Sequence, residues 1–275
     1  MSNLVSTEWL SAHLHDADLV VLDATWHLPT LKRNAREEFN AAHIPGARFF
    51  DLDKVSDTST TLPHMLPSGG SFAANMGALG IGDDNTVVAY DSFGLFSAAR
   101  CWWMFRVFGH DKVAVLDGGL KKWRAEGHAV ESGDTAPVMP KTFISKFNAG
   151  MVRSIAEVTS NRAKVVDARS PTRFRGEEPE PRPGVKPGHM PGAVNLHYAK
   201  LVAEDGSLLP KPALAAAFQE AGVDMAEPLI TSCGSGVTAA ILSLALTELG
   251  APDHALYDGS WAEWGASEQR IVTGA

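Results

Sequence analysis

Residues 228–246 read Pro-Leu-Ile-Thr-Ser-Cys-Gly-Ser-Gly-Val-Thr-Ala-Ala-Ile-Leu-Ser-Leu-Ala-Leu. An apolar run leads into Cys233, two glycines follow it, and a helical pattern starts at Ala240. A short apolar run bounded by glycine is typical of a buried strand, and the apolar repeat after it is typical of a helix. We therefore expect a strand, a tight loop that opens with Cys233, and the first turn of a helix.

This loop suits a reactive thiol. Gly234 and Gly236 let the backbone curl without Cβ clashes, so that its amides can point inward and form an anion cradle. The start of the helix adds positive potential at the same place. Such a cradle favours the thiolate form of Cys233, and the thiolate is the nucleophile of sulfur chemistry. The loop therefore predicts a cysteine enzyme.

Composition limits the class of protein and its partners. The 275 residues are 45% hydrophobic and 20% charged, as in an ordinary globular protein long enough for two domains. A net charge of -8 disfavours nucleic acid and anionic membranes as partners, although it leaves room for a local basic site for a small anion.

Cysteine usage and the N-terminus indicate the compartment. The N-terminal residues show no signal-peptide pattern, and no apolar run reaches the length of a membrane span. The chain has two cysteines, Cys101 and Cys233, so we expect a cytoplasmic location rather than a disulfide framework. Cys101 lies on an apolar helical pattern and is expected to be a core residue. No metal-ligand spacing occurs, and we expect neither a metal nor another cofactor.

The chain repeats one unit. Three motifs occur twice in the same order, at offsets of 144, 146 and 141 residues. The paired motifs are marked by Asp23 and Asp167, His43 and His189, and Asp117 and Asp258. Three matched motifs at nearly one offset indicate the duplication of a domain-sized unit.

Each half alternates short, continuously apolar runs with helical patterns, which predicts parallel α/β sheets. The first half is expected to hold strands at residues 19–23, 86–91 and 113–116 and helices at 7–14 and 97–108. Linker composition near residues 132–141 places the boundary. We predict domains over residues 1–134 and 151–275, joined by a linker over 135–150. The corresponding loop of the first half, residues 89–97, has no cysteine, so one active loop per chain is expected.

These residues together resemble the tandem-domain rhodanese family of sulfurtransferases over nearly the whole chain. The motifs that carry the resemblance are the cysteine loop, His43-Ile-Pro-Gly, residues 102–110, Asp117-Gly-Gly and Asp258-Gly-Ser-Trp. The resemblance implies an α/β fold of two tandem rhodanese-like domains, each a parallel sheet flanked by helices. It places the catalytic cysteine in the second domain alone.

The loop Cys-Gly-Ser-Gly-Val-Thr is similar to that of family members that act on 3-mercaptopyruvate. Thiosulfate-specific members usually carry basic residues directly after the cysteine, where this chain has Gly234 and Ser235. By the same resemblance, Arg173 and Arg182 hold the carboxylate and ketone of the substrate, for which a planar donor fork is well suited. The loop residues expected to contact the substrate are Gly234, Gly236, Val237 and Thr238.

The resemblance implies sulfur transfer in two steps. Cys233 takes sulfur from 3-mercaptopyruvate as a persulfide and pyruvate leaves; an acceptor thiol, such as reduced thioredoxin, or cyanide then removes the sulfur. The family comparison gives Ser235 a proton-relay role and suggests His43 of the first domain as its partner. An Asp often stands nine positions before that histidine in the family, and this chain has Asn34 there.

Other activities stay open at this point, and so do structural rather than catalytic roles for some of the residues named above. A cysteine phosphatase needs an arginine after five intervening positions, where this chain has Ala239. Thiosulfate:cyanide sulfurtransferase activity and a non-catalytic sulfur-carrier module are the remaining alternatives. Because His43 and His189 occupy the same motif in both halves, an architectural role is open for each of them.

Overall fold

A computed structural model describes residues 2–160 and 163–274 of the chain. The described residues form two compact units. The first comprises the residues up to 58, 66–148 and 204–208, and the second comprises 59–65, 149–203 and the residues from 209 onward. Each unit includes one short segment from a different part of the sequence. The continuous boundaries expected from composition stay a prediction.

The first unit is built on a five-stranded parallel sheet. Its strands are β1 (Leu4–Val5), β2 (Leu19–Asp23), β3 (Arg48–Phe49), β4 (Thr86–Tyr90) and β5 (Val113–Leu116). They lie in the order β1-β5-β4-β2-β3, with β4 in the centre. Almost all side chains of β2, β4 and β5 are buried, as expected for strands covered on both faces.

Helices surround this sheet, and local sequence accounts for where several of them begin. The helices described in this unit are α1 (Thr7–His13), α2 (Ala35–Ala41), α3 (Leu52–Val55), α4 (Gly69–Ala78), α5 (Ala98–Val107) and α6 (Gly119–Ala125), with a 3₁₀ turn at Pro29–Leu31. Asn34 caps α2, since its side-chain oxygen accepts hydrogen bonds from the amides of Arg36 and Glu37. Ser6 caps α1 and Ser68 caps α4 in the same way.

Helix α5 is the most deeply buried helix of the first unit. Cys101, Trp102 and Trp103 are each at most 1% exposed, so this helix is apolar around most of its circumference. Burial raises the pKa of the Cys101 thiol well above its usual range. The prediction that Cys101 is a core residue is confirmed.

The second unit repeats the same sheet. Its strands are β6 (Val152–Arg153), β7 (Lys164–Asp167), β8 (Val194–Asn195), β9 (Leu229–Ser232) and β10 (His254–Tyr257). They are parallel and lie in the order β6-β10-β9-β7-β8, so that β9 occupies the central place that β4 has in the first unit. The helices described here are α7 (Ile155–Ser160), α8 (Pro171–Arg175), α9 (Lys211–Glu220), α10 (Ala239–Leu249) and α11 (Ser260–Trp264), with 3₁₀ turns at Ala149–Met151 and Tyr198–Leu201.

The predicted fold class is confirmed, and the long apolar strands have nearly the predicted bounds. β2 and β5 match the prediction, β4 ends one residue earlier, and α5 begins one residue later than expected. The four strands β1, β3, β6 and β8 are two residues long, too short to show an alternating or continuous apolar pattern. The sheet edges therefore could not be read from the sequence, whereas the centre could.

Candidate active site

The cysteine loop leaves the carboxyl end of the central strand of the second unit. β9 ends at Ser232, residues 233–238 form the loop, and α10 begins at Ala239. In open α/β sheets, the carboxyl ends of the strands are where ligands bind. Cys233 is 2% exposed, and Gly236 adopts a left-handed backbone conformation (φ 76°) that its lack of a Cβ allows.

The start of this loop is held by the start of α11. The amide of Cys233 donates to the hydroxyl of Ser260 (3.2 Å), while the amides of Trp261 and Ala262 donate to the carbonyls of Cys233 and Gly234 (2.9 Å each). The Asp258-Gly-Ser-Trp motif, the counterpart of Asp117-Gly-Gly in the first unit, therefore supports the start of the cysteine loop.

The remaining predicted loop residues differ in exposure. Ser235 and Val237 are buried, Gly234 is partly exposed, and Thr238 is the half-buried N-cap of α10. Their predicted contacts with substrate stay predictions. Ser235 carries a buried hydroxyl, and a buried hydroxyl needs a hydrogen-bond partner.

His64 is the partner of Ser235, and sequence reasoning missed it. Its Nδ1 lies 2.9 Å from the Ser235 hydroxyl oxygen, and both residues are 5% exposed. His64 belongs to the short segment 59–65 that joins the second unit. Its backbone is left-handed (φ 59°), an uncommon conformation for a residue other than glycine and one that clusters at functional sites. The sequence around it, Leu62-Pro63-His64-Met65-Leu66-Pro67, carries no functional motif that would have singled it out.

Arg173 lies over the loop. It is on α8, whose start is capped by Ser170. A Cβ placed on Gly234 would be 3.1 Å from Arg173 Nη2 and 3.7 Å from Nη1. The structure thus brings the predicted arginine to the residue directly after Cys233, and it explains the glycine there by the guanidinium above it.

A buried carboxylate fixes that guanidinium. Glu180 is 3% exposed in its side chain and accepts hydrogen bonds from Arg173 Nε (3.3 Å) and Nη2. Its Oε1 also accepts from Arg169 Nη1 (2.8 Å). Glu180 was not identified from the sequence, because it stands in a Pro-rich stretch that reads as a solvated loop.

Arg182 is half-buried in the bend that follows Glu180. Its predicted role in holding the substrate stays a prediction.

His43 lies in the first unit, and its ring is bound by residues of that unit. Its Nδ1 donates to the carbonyl of Phe39 (2.8 Å), its ring stacks on the same residue, and Nε2 lies 3.2 Å from Glu131 Oε1. His189 makes the equivalent contacts with Phe174 in the second unit. The motif therefore anchors a phenylalanine in both units. The catalytic role expected for His43 stays a prediction.

The first unit has a carboxylate in place of the thiol. Asp91 follows β4 as Cys233 follows β9, and its carbonyl accepts the amide of Leu120 (3.0 Å). Its carboxylate accepts five backbone N–H groups at 2.7–3.1 Å. The donors are Phe93, Gly94, Phe96, Ser97 and Ala98. Burial raises the pKa of this carboxyl, while the backbone donors act in the opposite direction. The loop of the first unit is therefore an anion cradle that its own side chain fills.

Comparison with known proteins agrees with this geometry. The family model for the rhodanese-like domain matches residues 6–126 and 154–267. The chain belongs to the rhodanese family. One match falls on each of the two rhodanese units. Among the described residues, no helix combines the length and the hydropathy of a membrane span.

Three relatives share both rhodanese units. The chain is 45% identical to thiosulfate/3-mercaptopyruvate sulfurtransferase 1, mitochondrial, of Arabidopsis thaliana, over 95% of the chain and 75% of that protein. It is 43% identical to the human 3-mercaptopyruvate sulfurtransferase, over 95% and 91%. The crystal structure of the 3-mercaptopyruvate sulfurtransferase SseA from Escherichia coli superimposes with a TM-score of 0.87 at 40% identity, covering 95% of this chain and 99% of that one.

Proposed function

We propose that this protein transfers sulfur from 3-mercaptopyruvate to a thiol acceptor through a persulfide on Cys233, and releases pyruvate. The observation that carries the proposal is the guanidinium of Arg173 next to Gly234, one residue after the nucleophile. A planar donor fork at that place suits a 2-oxo acid whose thiol must reach Cys233. The names of the human, plant and bacterial relatives support the same substrate.

The first step makes a sulfur–sulfur bond. The Cys233 thiolate attacks the thiol sulfur of 3-mercaptopyruvate, the C–S bond breaks, and its electron pair remains on carbon as the enolate of pyruvate. The ketone makes this possible by delocalising the charge, and Arg173 and Arg182 stabilise the oxygen on which the charge collects. Protonation of the enolate carbon gives pyruvate and leaves the persulfide in the cysteine loop.

The second step returns the enzyme to its thiolate. An acceptor thiolate attacks the outer sulfur of the persulfide and takes it, and the electron pair returns to Cys233. Reduced thioredoxin is a suitable acceptor, since its second thiol can then form a disulfide and release hydrosulfide. Cyanide takes the same sulfur as thiocyanate in an assay. A reducing compartment such as the cytoplasm keeps both the catalytic thiol and a thiol acceptor available.

Ser235 and His64 form the proton path of this proposal. Ser235 stands two residues after Cys233 in the sequence. Its hydroxyl lies 2.9 Å from His64 Nδ1, and all three residues belong to the second unit. The pair can accept the proton that the Cys233 thiol or the substrate thiol gives up and return it to the enolate carbon.

We expect His64→Asn to lower kcat/KM for 3-mercaptopyruvate about 100-fold, the lower end of what a positioned proton-transfer group contributes. Asparagine tolerates the left-handed backbone of this position, so the fold should be retained. Steady-state kinetics of His64→Asn, Ser235→Ala and the double variant measure the effect. Because the two residues act as a pair, the double variant should lose no more than the worse single one. Losses that multiply would show that the two residues act separately.

Thiosulfate is the competing substrate, and the name of the Arabidopsis relative includes it. The space above Gly234 is taken by Arg173, so a basic side chain after the cysteine would compete with that guanidinium. A basic residue at position 234 would therefore have to displace the guanidinium of Arg173 before it could bind an anionic sulfur donor there. We propose that 3-mercaptopyruvate is the main substrate and thiosulfate at most a side substrate.

Steady-state turnover on the two donors tests the proposed function. We expect the wild-type protein to have the higher kcat/KM for 3-mercaptopyruvate. Replacing Gly234 and Ser235 with Arg and Lys should shift the ratio toward thiosulfate, and more so with Arg173→Ala, which clears the space. Preference of the wild-type protein for thiosulfate would overturn the proposal, and an unchanged ratio in both variants would place selectivity elsewhere.

A further inference from the structure

Glu180 connects two arginines below the surface of the second unit. One of them, Arg169, is 2% exposed and fully engaged: Asp167 accepts from its Nε and Nη2 at 2.7–3.1 Å, and the Gly188 carbonyl accepts from Nη2 at 2.8 Å. Its guanidinium also lies 4.3 Å from the ring centre of Trp261. Burial alone would lower the pKa of Arg169, but Asp167 and Glu180 raise it. Arg169 is therefore a fixed cation that anchors Glu180.

Arg173 is held by the other side of the same carboxylate. Glu180 accepts hydrogen bonds from Nε and Nη2 of Arg173, the two nitrogens on one edge of the guanidinium. The second edge is formed by Nη1 and Nη2, the two atoms that lie nearest to a Cβ position on Gly234. Occupation of the first edge leaves the second edge over the cysteine loop, where it can donate to a bound carboxylate or ketone.

We propose that Glu180 is a positioning residue that orients Arg173 for the 2-oxo acid, with Arg169 as its anchor. This inference rests on the proposed function, since it assigns a role in binding that substrate. Its chemical logic is that an arginine side chain is long and flexible, and a carboxylate clamped between two guanidinium groups fixes the plane of the mobile one. Glu180 partly compensates the charge of Arg173, and the protein gains a defined donor geometry in return.

The test compares two acids of the same segment. Glu180→Gln keeps the shape but loses the charge that binds both arginines, and it should lower kcat/KM for 3-mercaptopyruvate about 10-fold or more. Glu177→Gln is the matched control, since Glu177 makes a bidentate pair with Arg175 (2.6 and 2.7 Å) in which the acid is exposed. The control should keep wild-type kinetics.

A combination with Arg173→Ala separates positioning from a general loss of structure. If Glu180 acts through Arg173, Glu180→Gln should cause no further loss of kcat/KM once Arg173 is alanine. A second readout needs no turnover: the rate of Cys233 alkylation by iodoacetate relative to iodoacetamide. We expect the ratio of the two rates to favour iodoacetate in the wild type and to fall in Glu180→Gln, because the lost orientation of Arg173 outweighs the positive charge that the variant leaves uncompensated, while the rate with the neutral reagent stays the same.

Three results would overturn the inference: wild-type kinetics of a folded Glu180→Gln, a further loss in the Arg173→Ala background, or an unchanged alkylation ratio. If Glu180→Gln does not fold, Glu180→Asp carries the same comparisons, because the shorter acid keeps the charge but cannot span both guanidinium groups. A wild-type protein that gains no sulfur from 3-mercaptopyruvate would refute the proposed function instead. The alkylation ratio would still report on Glu180 in that case.

Discussion

Cys233→Ser is expected to abolish sulfur transfer and to leave no persulfide on the protein. The alcohol cannot form a sulfur–sulfur bond, so turnover should fall to the background, a loss of about 10⁴-fold or more, as when other enzymes lose their nucleophile. Incubation of the wild-type protein with 3-mercaptopyruvate should add one sulfur atom to its intact mass. Dithiothreitol or cyanide should remove that atom.

Cys101→Ser is the control for this experiment. Cys101 is fully buried in α5, and burial raises the pKa of its thiol, so it should take up no sulfur. The Cys101→Ser protein should therefore gain the same single sulfur atom as the wild type. A persulfide in the Cys233→Ser protein would show that the nucleophile is misassigned.

Arg173→Ala and Arg182→Ala should give the next largest loss. Under the proposed function, each removes a charge-assisted contact to the 2-oxo acid, worth about 1.5–3 kcal/mol, or roughly 10- to 150-fold in kcat/KM. Lysine at either position should restore only part of the rate, because it keeps the charge but not the planar fork. Steady-state kinetics with 3-mercaptopyruvate measure both effects.

Alkylation of Cys233 by iodoacetamide is the internal control for the arginine variants. The neutral reagent does not use the substrate contacts, so its rate should change little. Near-normal kcat/KM in both alanine variants would mean that the substrate lies elsewhere. Arg173 on α8 and Arg182 in the bend after Glu180 would then have a structural role.

The parts of the fold that could be read from the sequence are those with long apolar runs. β2, β4 and β5 are buried on both faces, and this leaves an almost continuously apolar run in the sequence. Segment 59–65 belongs to the second unit and segment 204–208 to the first, and neither assignment left a signature in the sequence. Each is only a few residues long, and its placement depends on tertiary contacts rather than on local preference.

The same division applies to the active site. Cys233 and its loop follow from a local pattern of glycines, and Arg173 followed from the family resemblance. His64 and Glu180 could not be found in this way, because what marks them is burial next to Ser235 and between two arginines. A histidine and a glutamate in polar segments read as solvated side chains until their neighbours in space are known. The catalytic role of His43 was suggested by the family comparison, whereas the repetition of its motif in both halves indicated an architectural role, and that repetition corresponds to the stacking on Phe39.

The carboxylate of Asp91 makes the two loops thermodynamically unequal. It is covalently attached to the loop that binds it, so any dissolved anion must compete with an intramolecular group of high effective concentration. The first loop is therefore occupied at all times, independently of the metabolic state of the cell. Under the proposed function, the loop of Cys233 is occupied only when a sulfur donor is present. The fraction of loops that a ligand stabilises therefore depends on the concentration of that donor. Of the two repeated loops, the first is thus filled by its own carboxylate, whereas the second is filled by substrate when substrate is present.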